Sequence, residues 1–180
     1  MRKLFTSELN RKSVSDFKNS DKTPIIVVLD NVRSLNNIGS IFRTADAFLL
    51  EAIYLCGISA TPPHKEIHKT ALGAEDSVTW KYFTDTKEAL KTLKSQGYCI
   101  VALEQTEGSI SLEKFPININ QKYALIFGNE VKGIQQEVID DCNYSVEIPQ
   151  FGTKHSFNVS VTAGIVIWEW CRKMVLDNEQ

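Results

Sequence analysis

Several familiar signatures are missing from this sequence. No G-x-G-x-x-G follows its first apolar run and no G-x-x-x-x-G-K-[ST] occurs, which sets aside a dinucleotide cradle and a P-loop. There is no G-x-S-x-G nucleophile elbow. Cysteine is sparse: Cys56, Cys99, Cys142 and Cys171 lie far apart and never as C-x-x-C, which excludes a zinc ribbon and a disulfide scaffold. Histidine is sparser. His64 and His68 stand four apart, as on one helix face, but no third ligand is near them, and His155 is remote, so no metal is expected. An excess of positive charge is also lacking, since 20 Lys and Arg face 22 Asp and Glu for a net charge of −2. A protein that coats nucleic acid with its whole surface is normally basic, so any such contact here is a local patch, or a patch doubled by dimerisation. Long hydrophobic runs are absent too. The longest uncharged, mostly apolar stretch, Phe157 to Trp168, is too short to span a bilayer and reads as a buried helix. Met1-Arg2-Lys3-Leu4-Phe5 turns polar at once, without the apolar segment of a signal peptide. These absences predict a soluble protein of a reducing cytoplasm, with no membrane contact.

What is present suits one compact domain. The 180 residues are 43% hydrophobic and 23% charged, enough to bury a core without staples. Residues 1–23 are polar and weakly amphipathic and read as an arm or short helix; residues 24–180 read as a single domain. The β-branched run Ile25–Leu29 predicts a strand buried on both faces, and similar runs recur at Ala52–Cys56, Ser77–Phe83, Tyr98–Leu103, Tyr123–Phe127 and Tyr144–Ile148. Helical periodicity lies between them at Ile38–Leu50, Asp85–Gln96, Val131–Cys142 and Asn158–Leu176. Strands alternating with helices predict an α/β fold with a mostly parallel sheet flanked by helices. Such sheets bind ligands beyond the carboxyl ends of their strands, which directs attention to loops 30–37, 104–108, 128–133 and 149–158.

Three of these loops are chemically dense. In the first, Asp30 to Ala45, a strand ends and an Asn-rich cap, Asn36-Asn37, opens a helix that carries Arg43. Arg43 lies six residues after Asn37, nearly two turns on, and is expected on much the same side. A second strand runs into Gly128-Asn129-Glu130, where glycine would let backbone approach a ligand. In the third, Ile148-Pro149 leads through Gly152 to Ser156-Phe157-Asn158, and either Ser156 or Asn158 caps the long apolar helix. Taken singly, each segment is also an ordinary cap or turn.

Together, in this order and on this alternating pattern, the three segments resemble the signature motifs of the SpoU (TrmH) family of RNA 2′-O-ribose methyltransferases. The resemblance covers roughly Pro24 to Cys171. It implies a sheet whose C-terminal part is tied into a trefoil knot, the exception to the rule against knots, and a homodimer with its active site at the subunit interface. It implies S-adenosylmethionine as methyl donor and RNA as substrate, with tRNA favoured over rRNA because the chain is similar to the family's minimal members. Carried over by position, Asn37, Arg43, Glu130, Ser156 and Asn158 are the catalytic set, and Leu103, Gly128, Ile148 and Phe157 hold the donor. Two positions depart from the family's usual pattern: Phe157 replaces a leucine, and Leu49 replaces a glycine that follows Ala-Phe.

The sulfonium donor is already activated, so the protein has to position the hydroxyl and assist loss of its proton. A guanidinium is always protonated, which makes Arg43 a phosphate holder and alkoxide stabiliser rather than a base, oriented by Glu130 and Asn37. Arg2, Lys3, Arg11, Lys12, Lys65 and Lys69 are candidates to hold the RNA backbone. Two other readings stay open: a non-catalytic RNA-binding member of the fold, and a generic nucleotide-binding α/β module.

Overall fold

The computed structural model describes residues 1–177; the last three residues of the expected 24–180 domain lie outside the described residues. The polar arm holds a 3-10 turn at Thr6–Glu8 and one α-helix, α1 (Val14–Asn19), opened by a reciprocal capping box between Ser13 and Asp16. Phe17, 3% exposed, pins it to the domain. Then β1 (Thr23–Asp30), α2 (Leu35–Ala47), β2 (Leu50–Cys56), α3 (Lys65–Ala71) and α4 (Ala74–Ser77) follow. Next come β3 (Trp80–Phe83), α5 (Thr86–Ser95), β4 (Tyr98–Leu103) and a two-residue β5 (Ile110–Ser111). The chain ends with β6 (Lys122–Phe127), α6 (Gln136–Ile139), β7 (Tyr144–Glu147) and α7 (Val159–Cys171), which continues as a π-helical turn over Arg172–Leu176. None of these helices is long and apolar enough to cross a membrane.

Among the described residues the strands form one seven-stranded sheet in the order β3-β2-β1-β6-β4-β7-β5, with every pair parallel. The continuous apolar run of β1 is explained by cover on both faces. Ile25, Val27 and Leu29 join the core beneath α2 and α7, while Ile26 and Val28 join the core with Ala89, Leu90 and Leu93 of α5.

The six expected strands are found close to their expected positions, except that Ser77 closes α4 and β3 starts only at Trp80; the two-residue β5 is an addition to them. The helix expected over Val131–Cys142 shrinks to the single turn of α6. Asn129 captures the amides of Val131 and Lys132 with its Oδ1 at 2.9 and 3.1 Å, and its backbone pairs with Gly133, which adopts φ +67°. That side chain offers the backbone a tighter alternative to the helix. Helix α2 begins earlier than expected because Ser34, not Asn36 or Asn37, caps it, its Oγ accepting from the Asn37 amide. It ends before Leu49, which takes φ +52°. Leucine thus occupies the left-handed turn for which glycine is the usual residue.

Helices α2 and α3 cross so tightly that a Cβ at Gly39 would strike Thr70 Oγ1 and the Ile67 carbonyl oxygen. Gly39→Ala is therefore expected to destabilise the fold by about 1–3 kcal/mol, as overpacking does. Thermal unfolding checks this, with Tm falling about 2–4 °C for each kcal/mol at this chain length.

Candidate functional site

At the carboxyl ends of β4, β6 and β7 a cavity of about 510 Å³ opens. Its wall includes Leu103, Gly128, Ile148 and Phe157, the four residues expected to hold the donor, together with Glu130, Ser156 and Asn158. Strand register explains the convergence: β6 lies between β1 and β4, and β7 flanks β4, so their C-terminal loops meet over one patch of sheet.

Hydrogen bonds link the three motif segments. The Glu130 carboxylate accepts from the amides of Arg33 (3.0 Å) and Ser34 (2.9 Å) and from Asn37 Nδ2 (3.1 Å). Asn158 Nδ2 donates to Asn37 Oδ1 at 3.1 Å, and Ser160 Oγ donates to Asn158 Oδ1 at 2.6 Å. Asn158 also caps α7, accepting from the amides of Ser160 and Val161. Each motif thus does an ordinary capping job while joining its neighbours. Burial works against charge on Glu130, but the amides of Arg33 and Ser34, its own amide and the Asn37 side chain outweigh this and hold its carboxyl below the usual carboxylate range. The N-terminus of α2 adds a favourable dipole.

Gly128 meets a close approach already within the protein. A Cβ there would strike the Gly133 carbonyl and the Ile134 nitrogen, so the close approach is by its own loop. Ser156 does not cap α7; it lies exposed on the cavity wall with no hydrogen bond among the described residues. Phe157, 41% exposed, stands on the same wall.

Arg43 is the residue that the protomer does not bring to this cluster. Six residues at 3.6 per turn rotate it about 120° off the Asn37 face of α2, not onto it. Asn37 is 9% exposed, whereas Arg43 is exposed and lines a separate depression with Ser40, Thr44, Lys69 and Thr70. Within the protomer Glu130 and Asn37 do not contact it, and among the described residues its guanidinium has no hydrogen bond or ion pair. Of the surface cations considered for RNA, Arg2 is paired with Glu8 at 2.6 Å and Lys69 with Glu66 at 2.7 Å. His64 caps α3, and His68 meets Glu75 at 2.6 Å. No group of three or more His, Cys, Asp or Glu side chains that could hold a metal occurs among the described residues.

Sequence reasoning assigned no role to two carboxylates that shape the site. Asp30, fully buried at the end of β1, accepts from Thr86 Oγ1 (2.6 Å), Asn31 Nδ2 (2.9 Å) and the Gln135 amide (3.1 Å). Glu104, one residue past β4, accepts from the amides of Ile134 (2.9 Å) and Gln105 (3.0 Å). Consecutive amides of the loop after β6 are therefore held by carboxylates from the strands on either side. The signal was there: an acid directly ending a buried apolar run requires donors.

A parallel sheet with this loop cluster, and Asn37, Glu130 and Asn158 joined beside a cavity, defines an α/β protein with a candidate ligand site at the carboxyl ends of its strands. The chain belongs to the SpoU rRNA methylase family, whose model matches residues 24–168. It is 31% identical over 163 residues to the 23S rRNA (guanosine-2′-O-)-methyltransferase RlmB of Neisseria meningitidis serogroup B, covering 91% of this chain and 64% of that enzyme. It is 28% identical over 164 residues to a tRNA (guanosine(18)-2′-O)-methyltransferase of Borreliella burgdorferi, covering 91% of this chain and 73% of that enzyme. Among solved structures, an AdoMet-bound rRNA methyltransferase from Sinorhizobium meliloti superposes with a TM-score of 0.79 at 25% identity, over 88% of this chain and 60% of that one. The chain thus spans less than two thirds of the Neisseria enzyme.

Because the Glu130 carboxyl titrates lower in the folded chain than in the unfolded one, its stabilising contribution is complete above the unfolded value of about 4.3 and is lost as pH falls through the folded value. Urea unfolding of wild type against Glu130→Gln is expected to give a constant stability gap from neutral pH down to about pH 5.5, narrowing below about pH 4. An equal gap at neutral pH and at pH 3.5 would contradict the assignment.

Proposed function

We propose that this chain transfers a methyl group from S-adenosylmethionine to a ribose 2′-hydroxyl in RNA. One observation carries the reading: the three motif loops meet beside a cavity through the Glu130–Asn37–Asn158 hydrogen bonds. Leu103, Ile148 and Phe157 give that cavity apolar wall for an adenine ring, and Glu104, Glu130 and Glu147 against Lys132 make its lining acidic, suited to a cation. The donor, when bound, supplies a methyl group already activated on a sulfonium.

The chain's own residues do the rest. Ser156 and Asn158 shape the hydroxyl site, and Asn37 with Glu130 hold Asn158 in place. Arg43 holds an RNA phosphate and stabilises the developing alkoxide, which requires a charged planar fork. Since Arg43 stands apart from the cavity in its own protomer, it acts on the site of a second copy.

Helix α7 supports that homodimer. It is mostly apolar yet covered on one side only: along α7 and the turn that continues it, Val161, Trp168 and Val175 are 50%, 47% and 40% exposed, seven residues apart. Phe48 packs on Trp168 with ring centroids 6.1 Å apart and also borders the Arg43 depression, so a copy seated on this stripe lies next to Arg43.

The topology likewise supports the trefoil knot. Strand β7 is inserted between β4 and β5, which are joined by only residues 104–109, so the chain leaving β7 passes that short connection on its way to α7. Residues 24–180 act as one domain on this reading, with 1–23 as its arm. The protein works in a reducing cytoplasm, in keeping with Cys56, Cys142 and Cys171, whose thiols burial pushes up to about 12. RNA is the substrate, and tRNA is the first pool to test, ahead of rRNA.

Labelled methyl is expected in tRNA or rRNA lacking the modification, at linkages resistant to alkali. Label at alkali-labile positions would point to base methylation instead. Arg43→Lys is expected to lose most activity, because a point charge does not replace a fork. A mixture of Arg43→Ala and Asn158→Ala chains, each inactive alone, is expected to regain about a quarter of wild-type activity through mixed dimers with one intact site. No recovery on mixing would place Arg43 in its own protomer's site.

A further inference from the structure

Glu104 stands out because its backbone and its carboxylate tie the end of β4 to β7 and to the loop after β6. Its amide donates to Val146 O at 3.1 Å and its carbonyl accepts from Ser145 Oγ at 3.0 Å, which locks it to β7. Oε2 accepts from the Ile134 amide and Oε1 from the Gln105 amide, and a Cβ on Gly133 would strike Oε2. Both oxygens accept from backbone amides, and the side chain is half-buried in the cavity wall. The other charged or titratable residues on that wall are Glu130, Glu147, Lys132 and His155. Glu130 is turned to the N-terminus of α2 and satisfied there. Glu104 is instead fixed among the loops that enclose the cavity, with one acceptor position on each oxygen used and the other still available.

Resting on the methyl-donor reading of this cavity, we propose that Glu104 is a specificity residue that favours the cationic donor over its neutral product. S-adenosylmethionine carries a sulfonium that S-adenosylhomocysteine lacks, while the rest of the two molecules is the same. A fixed negative charge in a half-buried wall attracts the first and is indifferent to the second. Loss of the methyl group therefore weakens the hold of the site on its own product. Charges several ångströms apart near a protein surface interact strongly enough to move an affinity by about tenfold.

Calorimetric titration of wild type and Glu104→Gln with three probes tests this: S-adenosylmethionine, S-adenosylhomocysteine, and sinefungin, whose amine restores a positive charge where the sulfonium stood. Glutamine keeps the size of the side chain but offers one acceptor where two amides need one, so the loop loosens and all three affinities fall by a common factor. The charge effect appears in the ratios. In the variant the preference for S-adenosylmethionine over S-adenosylhomocysteine is expected to drop about tenfold, with sinefungin following S-adenosylmethionine. Equal weakening of all three probes would make Glu104 a loop brace only and overturn the inference. Failure of all three to bind wild type would overturn the donor reading itself and the inference with it.

Discussion

A carboxylate removed from water must find donors, and in this chain that requirement organises the site. Asp30 at the end of β1 is fully buried and is satisfied by a threonine, an asparagine and the backbone of a loop more than a hundred residues away. Glu104 past β4 and Glu130 past β6 repeat the arrangement with other amides. Loops at the ends of a parallel sheet have no ladder to satisfy their N–H groups. Acids at the strand ends supply the acceptors instead, and so the loops that enclose the cavity are held in position before any ligand arrives. Removing one such partner would leave backbone donors orphaned in a half-dry site, which is why these acids hold geometry as well as charge.

The electrostatic layout divides the labour of the molecule. A chain with a net charge of −2 has no reason to attract RNA as a whole. Glu104, Glu130 and Glu147 line the cavity against the single lysine Lys132, while Arg43 sits in a depression with Lys69, away from the cavity lining. A cationic cofactor and a polyanionic substrate call for opposite surfaces, and one small protomer presents them at separate places. In the proposed homodimer, two copies joined along α7 would bring them together, which would relate the uncovered apolar stripe of that helix to the chemistry rather than to stability alone.

Much of this was legible in the residues because the strands are β-branched runs covered on both faces, a pattern that β1, β4 and β6 carry almost to the residue. The motif residues were legible too, since Asn37, Glu130 and Asn158 cap or join helix starts in ways their types favour. What failed had local causes. The Asn129 side chain diverted Val131–Gly133 from helix into a closed turn. Helices α3 and α4, of seven and four residues, are too short for periodicity to register. Arg43, expected on the Asn37 face because six residues span nearly two turns, lies well round the helix because 3.6 residues per turn leave it about 120° away. Leu49 shows that a family's glycine marks a backbone conformation, which another residue can adopt when the core holds it there.

The most direct test of the account is amide hydrogen exchange of the whole chain with and without S-adenosylhomocysteine. Protection on binding is predicted at residues 103–105, 128–135 and 148–158, the loops fixed by Glu104, Asp30 and Asn158, with no change in the Ser40–Phe48 and Lys69–Thr70 depression that holds Arg43. Protection centred on that depression, or none in the three loops, would contradict it.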